Sequence, residues 1–330
     1  MDMEQDNNIL SDGLPRILPA YENGVFQALL TLPEAHAALE GLVAAVIEQP
    51  VKSVVLRNNS APSRDISAKQ EQYDINCAVD MENGDQFNIE MQASPMAGDN
   101  LGNEHRNIKW RSVFNLCDLH SNQEGRGLKY GQFARSYQVM LCNYSVFSEE
   151  HELVERFTFR NPEGKELCDA VTAIFIDLLY AKKIAKKPVS EMSRIEQWTV
   201  FFAFADKPDY SEIIAEITKQ QEGIAVAKET LLSLSRNPDE RARFRSRRIW
   251  LQDREHEQAV WLEEGREESR AEYEPLLALK DAEIADKDAE IADKDAEIAD
   301  KDAEIAGKDV EIANKDAEIA ALRALLGKEQ

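Results

Sequence analysis

The stretch YDINCAVDMENGDQFNIEMQ, Tyr73 to Gln92, carries the carboxylates Asp74 and Glu90 and the amide Gln92 on its two alternating arms. If Asp74, Glu90 and Gln92 share one side of a hairpin, they offer hard oxygen ligands of the kind Mg²⁺ or Mn²⁺ takes. Both arms alternate. Tyr73, Ile75, Cys77 and Val79 are the apolar set of the first arm, and Phe87, Ile89 and Met91 that of the second. A two-residue Asn83-Gly84 turn would set odd positions against even ones and oppose apolar to polar along the ladder, which cross-strand packing penalises. A three-residue loop, Glu82-Asn83-Gly84, restores the match: Ile75 faces Met91, Cys77 faces Ile89 and Val79 faces Phe87. Gly84 then takes the left-handed position that glycine fills cheaply. In that register Asp74 pairs with Gln92, Asn76 with Glu90, and Asp74 and Glu90 become diagonal neighbours.

A divalent ion held there could lower the pKa of a bound water and neutralise charge on a phosphate under attack. The plain alternative is a polar hairpin side with solvated acids. Arg106 and Lys109, at the start of the helix that follows, are the candidate phosphate contacts. The five histidines, His105 and His120 among them, show no Ser, Cys or Asp arrangement that would make a triad. The arginines of RARFRSRR (241–248) recur every second residue, so they scatter around a helix, and acids on either side offset them.

Several elements must position this hairpin. A helical pattern over 34–49 puts Leu39, Leu42, Val43 and Val46 on one face and stops at Pro50. VKSVVLR (51–57) reads as a strand and 58–69 as a polar loop. The pattern over 104–119 is helical, with Trp110, Val113, Phe114 and Cys117 sharing a face. SYQVMLCNYSVF, ERFTFR and TAIFIDLL are strand candidates, with a turn at Asn161–Gly164. Helix resumes after Pro188, with Ile195, Trp198, Phe201 and Phe202 as packing residues, so Trp110 and Trp198 are expected in the core. Interleaved helices and strands imply an α/β or α+β class.

The net charge of −23 bounds the partners. Residues 271–330 hold 18 acidic and 8 basic side chains, a net −10, which leaves −13 for the remainder. Any nucleic-acid contact must therefore be local and metal-assisted. Cys77, Cys117, Cys142 and Cys168 are 25 to 40 residues apart, so four reduced thiols in a cytoplasmic protein are expected. The acidic beginning lacks the pattern of a signal peptide, and no apolar run is long enough for a bilayer. From residue 280 a heptad repeats as KDAEIAD, with Ile284, Ile291, Ile298, Ile305, Ile312 and Ile319 seven apart. That period implies a helix able to supercoil with a copy of itself, although Ala rather than a second large residue flanks each Ile.

The order Asp74, turn, NIEMQ, a helix with Arg106, then Gln123, Gly127, Tyr130 and an apolar strand resembles the recombination-promoting nuclease (Rpn, putative transposase) family of the PD-(D/E)XK superfamily. The resemblance covers roughly residues 15–205. It implies a restriction-endonuclease-like core with a mixed central sheet flanked by helices, and a Mg²⁺- or Mn²⁺-dependent endonuclease acting on DNA in recombination, mobile elements or phage defence. Asp74, Glu90 and Gln92 would be the catalytic positions, with Asp74 and Glu90 on the metal and Gln92 where the wider superfamily has Lys. IFIDLL and Trp198 are similar to downstream landmarks, with Asp177 where Glu is common. Where the family often has Asp-x-x-Phe-Lys, ENGVFQ keeps Phe26 but has Asn23 and Gln27, so Glu22 is the acid left for the first ligand. A catalytically degenerate binding or assembly module is the other reading. The expected organisation is a nuclease-like domain over 1–205, a charged helical connector over 206–270, and a heptad-repeat helix over 271–330 joining copies of the chain. An internal start at Met192 would give a shorter C-terminal form able to cap the full protein.

Overall fold

A computed structural model describes residues 16–58, 75–79, 84–94, 106–123, 129–147 and 150–326. Asp74 and His105 lie outside them. Two compact units divide the chain, residues 1–254 and 255–330. In the first, six strands form one sheet: β1 (Val54–Asn58), β2 (Ile75–Val79), β3 (Gln86–Gln92), β4 (Ser136–Cys142), β5 (Val154–Arg160) and β6 (Glu166–Asp177), in the order β1-β2-β3-β4-β6-β5. The two outer pairs on the β1 side are antiparallel, β3, β4 and β6 run parallel, and β5 closes the other edge antiparallel. This is a mixed sheet in an α/β framework, as expected. All seven residues of β3 are buried, as befits a central strand covered on both faces.

One face of the sheet is apolar. Ile75, Phe87, Ile89, Val139 and Ile174 meet α1 (Asn23–Thr31), α2 (His36–Ile47) and the later helices in the main core. The four residues expected to form the α2 packing face are fully buried, and Glu48 ends the helix in the left-handed conformation. After β6 come the single-turn α4 (Ala181–Ile184) and α5 (Arg194–Phe204), which begins at a Ser193–Glu196 capping box. Trp198 is fully buried in α5, stacked 5.3 Å from Phe202. Next are α6 (Ser211–Gln220) and α7 (Glu222–Arg236). These were expected to be a connector. Instead Ile214, Ile217, Ile224, Ala227, Leu231 and Leu234 join the main core, followed by Phe244 of α8 (Pro238–Leu326). The compact unit accordingly runs to Arg254 rather than ending near 205.

α7 lies close against α2 where two glycines meet. A Cβ on Gly223 would stand 2.8 Å from the Ala37 carbonyl oxygen and 3.2 Å from Gly41 Cα. The arginine run at 241–248 is not simply solvated. Its helix buries Phe244, and burial lowers the Arg247 guanidinium to about 10.

The hairpin differs from expectation in one respect. The observed pairs are Ile75 with Ile89, Asn76 with Asn88, Cys77 with Phe87 and Ala78 with Gln86. Odd still faces even nowhere, so the parity holds, but the register is shifted by two residues. Val79 pairs with Val54 of β1, not with Phe87. The ladder closes at Ala78 and Gln86, leaving a connection longer than three residues, and the Gln86 amide donates to the Gly84 carbonyl at 2.5 Å. Alternation has a period of two, so it fixes register only modulo two; loop length decides the rest. Gly84 has φ +61°, the left-handed conformation expected of it.

The second unit is the remainder of α8. Every residue from 260 to 323 is exposed. Among the described residues no single helix is long and apolar enough to cross a membrane.

Candidate functional site

The other face of the sheet carries buried polar side chains at alternate positions: Gln86, Asn88, Glu90 and Gln92 of β3, with Ser136 and Gln138 of β4. Glu90 is at their centre and is 1% exposed. Its Oε1 accepts from Asn115 Nδ2 (2.6 Å), Gln138 Nε2 (2.9 Å) and Asn88 Nδ2 (3.0 Å). Its Oε2 accepts from Gln92 Nε2 at 3.3 Å and pairs with Arg111 Nη2 at 2.7 Å. Asn88 Nδ2 also donates to Gln138 Oε1 at 2.8 Å, and Asn88 Oδ1 is buried without a hydrogen-bond partner among the described residues. A carboxylate held in this way is not the solvated acid of an exposed hairpin.

Arg111 and Asn115 come from α3 (Arg106–Ser121), one turn apart on the face that covers the sheet. This reverses the packing expected for the helix. Trp110, Val113, Phe114 and Cys117 face outward, with Trp110 65% and Phe114 72% exposed, while Ile108, Ser112 and Leu116 are buried. The polar sheet face needs donors, and only the Arg111–Asn115 side of α3 supplies them. Past the helix, the Gln123 amide clips the Ala134 backbone, donating to its carbonyl and accepting from its N–H, both at 2.8 Å. His120 Nδ1 lies 3.0 Å from Ser136 Oγ, a helix-end role.

Two residues further along the parallel strands, Gln92, Cys142 and Asp177 stand side by side across β3, β4 and β6. Burial, and then the charges of Asp177 and Glu90, push the Cys142 thiol up, so it is an inert neighbour rather than a nucleophile. Asp177 is buried, accepts from Leu179 N at 2.8 Å, and lies 3.0 Å from His151 Nε2. Tyr180 donates its hydroxyl hydrogen to the His151 carbonyl. His151 and Asp177 form a histidine–acid pair, with no nucleophile completing a triad among the described residues; its members are 26 residues apart, beyond any local pattern.

A family profile described as PD-(D/E)XK nuclease family transposase matches residues 22–259, from the start of α1 into α8. The chain belongs to this family. The resemblance seen in the motifs is thus borne out, and membership supports a nuclease- or transposase-related function. No curated protein and no solved structure gives a significant match. Nucleases of this family generally use divalent metals. Of the groups around Glu90, its own carboxylate and the Asn88 Oδ1 are hard oxygen donors of the kind such an ion takes, while Gln92 presents its N–H to Glu90; among the described residues no thiolate or imidazole is in contact with Glu90. Among the described residues no three His, Cys, Asp or Glu side chains gather as a metal site.

The remaining sequence candidates are placed as follows. Lys109 Nζ sits 5.0 Å over the Phe147 ring. Arg106 is the first residue of α3, and its side chain is not among those described. Glu22 is the N-cap of α1 and pairs with Arg248 at 3.5 Å; burial raises its carboxyl, partly opposed by Arg248. Beside it, Asn23 Oδ1 is buried without a hydrogen-bond partner among the described residues. Arg111, Asn115, Asn88, Gln138 and His151 were not foreseen. Arg111 and Asn115 had one legible signal, polar groups one turn apart on the helix after the acid-bearing strand.

Proposed function

We propose that the chain is a metal-dependent DNA endonuclease whose chemistry centres on Glu90. The observation that carries this reading is a buried carboxylate surrounded by five donors on the central strand of the family's nuclease core. Burying an ion pair contributes less to stability than packing apolar groups of the same volume, so stability alone is a weak reason for such a residue. Glu90 and Asp74 would hold Mg²⁺ or Mn²⁺, with Glu22 or the neighbouring Asn23 oxygen as the ligand from α1. The bound ion would lower the pKa of a water and offset charge on the attacked phosphate. Gln92 would position that water. Arg111 supplies the counter-charge to Glu90 now, and it would pass to a phosphate oxygen once the carboxylate is otherwise neutralised. Arg106 and Lys109 would hold the DNA backbone. The setting would be recombination, mobile elements or phage defence, with copies of the chain joined through α8.

A second reading, a degenerate nuclease core kept for assembly, is favoured by Asn23 standing where the family often has an acid. Plasmid nicking separates the two. The wild-type chain with Mg²⁺ or Mn²⁺ is expected to convert supercoiled to open-circle DNA, and Glu90→Ala and Asp74→Ala to be inactive while keeping native circular dichroism. Equal nicking by wild type and both variants ends the catalytic assignment; a wild type that neither nicks nor binds metal by calorimetry selects the assembly reading.

A further inference from the structure

The repeat in α8 distinguishes its two flanks. Taking each Ile as zero, a seven-residue, two-turn period places the residue four later about 51° to one side and the residue three later about 51° to the other. From Ile284 to Ile312 the first flank is aspartate, at Asp288, Asp295, Asp302, Asp309 and Asp316, and Asp281, three residues before Ile284, falls on the same flank. The second is always lysine, at the residue preceding each of these. The Ile row between them is more than half exposed from Ile284 to Ile312. Beyond the lysine row lies Glu, and Glu290–Lys294, Glu297–Lys301 and Glu304–Lys308 pair along the helix.

We propose that this face binds a second copy of α8 in the parallel orientation, in register, along the Ile row. Two parallel helices related by a two-fold axis bring the aspartate flank of one against the lysine flank of the other, on both sides of the seam. Reversing one helix brings aspartate against aspartate and lysine against lysine over the whole repeat. The charges therefore oppose the antiparallel pair and complement the parallel one. They also specify the occupant. A helix matching this face must carry an apolar row with acid on one flank and base on the other at a seven-residue period, for six heptads, and this chain's own repeat is such a helix. A parallel pair joins the chains so that both copies of the nuclease-like unit precede the same end of the paired repeats.

This inference rests on the association through α8 proposed above, and its test keeps the two apart. The full-length chain carrying Cys117→Ser and Cys168→Ser, which removes the exposed thiols, receives one new cysteine, Ala282→Cys or Ala320→Cys, and a nitroxide label. Sedimentation equilibrium gives the mass and pulsed dipolar spectroscopy the label–label distance. The expected result is a dimer with distances below about 30 Å for both labels, since parallel axes lie about 8–10 Å apart. Fully overlapped antiparallel helices would separate either pair by about 57 Å, 38 residues at 1.5 Å each. The long distance overturns the orientation while leaving association standing; a monomer at tens of micromolar overturns both. Ile291→Asp with Ile305→Asp is expected to abolish the dimer, and an unchanged dimer would remove the Ile row from the interface.

Discussion

Replacing Arg111 by Met tests the arrangement around Glu90 most directly, because it keeps the aliphatic stem and removes the charge. The pair is 2.7 Å long, with the Glu90 side chain 1% and the Arg111 side chain 34% exposed. Removing one partner of a fully buried pair costs about 3–5 kcal/mol, while an exposed pair contributes about 0–1 kcal/mol. The guanidinium lies between these limits, and four amide donors stay on the carboxylate. Arg111→Met should therefore lose about 2–3 kcal/mol, or about 5–10 °C in Tm for a unit of this size. Glu90→Gln should lose about 1–3 kcal/mol, since its amide then turns a donor toward Arg111 or Gln92. In the double variant that clash is relieved on the Arg111 side, so the cycle should show a coupling of about 2 kcal/mol. Urea unfolding followed by tryptophan fluorescence measures all four proteins, Trp198 reporting from the core. An Arg111→Met loss below about 0.5 kcal/mol, or two single losses that simply add, would mean that the guanidinium does not hold Glu90 and the site has been misread.

Two further substitutions examine the scaffold. Gly223→Ala drives a methyl group to within 2.8 Å of the Ala37 carbonyl oxygen and should cost about 2–3 kcal/mol in the same urea assay, while Gly131→Ala, with nothing within 4 Å, should be close to neutral. Glu22→Gln should stabilise the chain at pH 7–8 and change nothing near pH 4: the folded-state carboxyl is raised by burial, so the protonated form is the favoured one, and its contribution is lost as the pH rises through the folded pKa. Thermal melts of both proteins across that range check the sign; a variant less stable at pH 8 would show that the Arg248 pair outweighs the burial.

Much of this architecture is written in periodicity, and the places where it is not have physical causes. α2 and β3 were legible because every large apolar residue in them meets the main core. The parity of the hairpin was legible too, but a two-residue slip leaves the same faces buried, so alternation could not exclude it. α7 shows a signal lost in composition: Ile224, Ala227, Leu231 and Leu234 follow helical spacing, yet charged neighbours make the segment read as a connector. His151 and Asp177 meet only because β5 folds back beside β6, which no local pattern states. In the site itself, the sequence led to Glu90 and Gln92 through their type and spacing, but it could not show that an arginine and three further amides converge on Glu90.

The orientation of α3 shows which force prevails at that site. Rolled the other way, the helix would bury Trp110, Val113 and Phe114 against the sheet, a gain of about 1.5–3 kcal/mol for each side chain. The same roll would carry Arg111 and Asn115 into solvent and leave the Glu90 side chain buried and short of two donors. A buried charge left without its partner costs about 3–5 kcal/mol. The two totals are comparable, but an outward-facing Trp110 or Phe114 still covers part of its neighbours, whereas the buried Glu90 carboxylate would keep the Asn88, Gln92 and Gln138 amides and lose its counter-charge. The helix therefore turns its polar side inward because β3 carries Glu90. An apolar residue at position 90 would remove the reason for that choice. The acid thus sets which side of α3 covers it, and the layer around the site combines that charge with an apolar cluster in which Ile108 and Leu116 of α3 pack on Met140, Cys142 and Phe175.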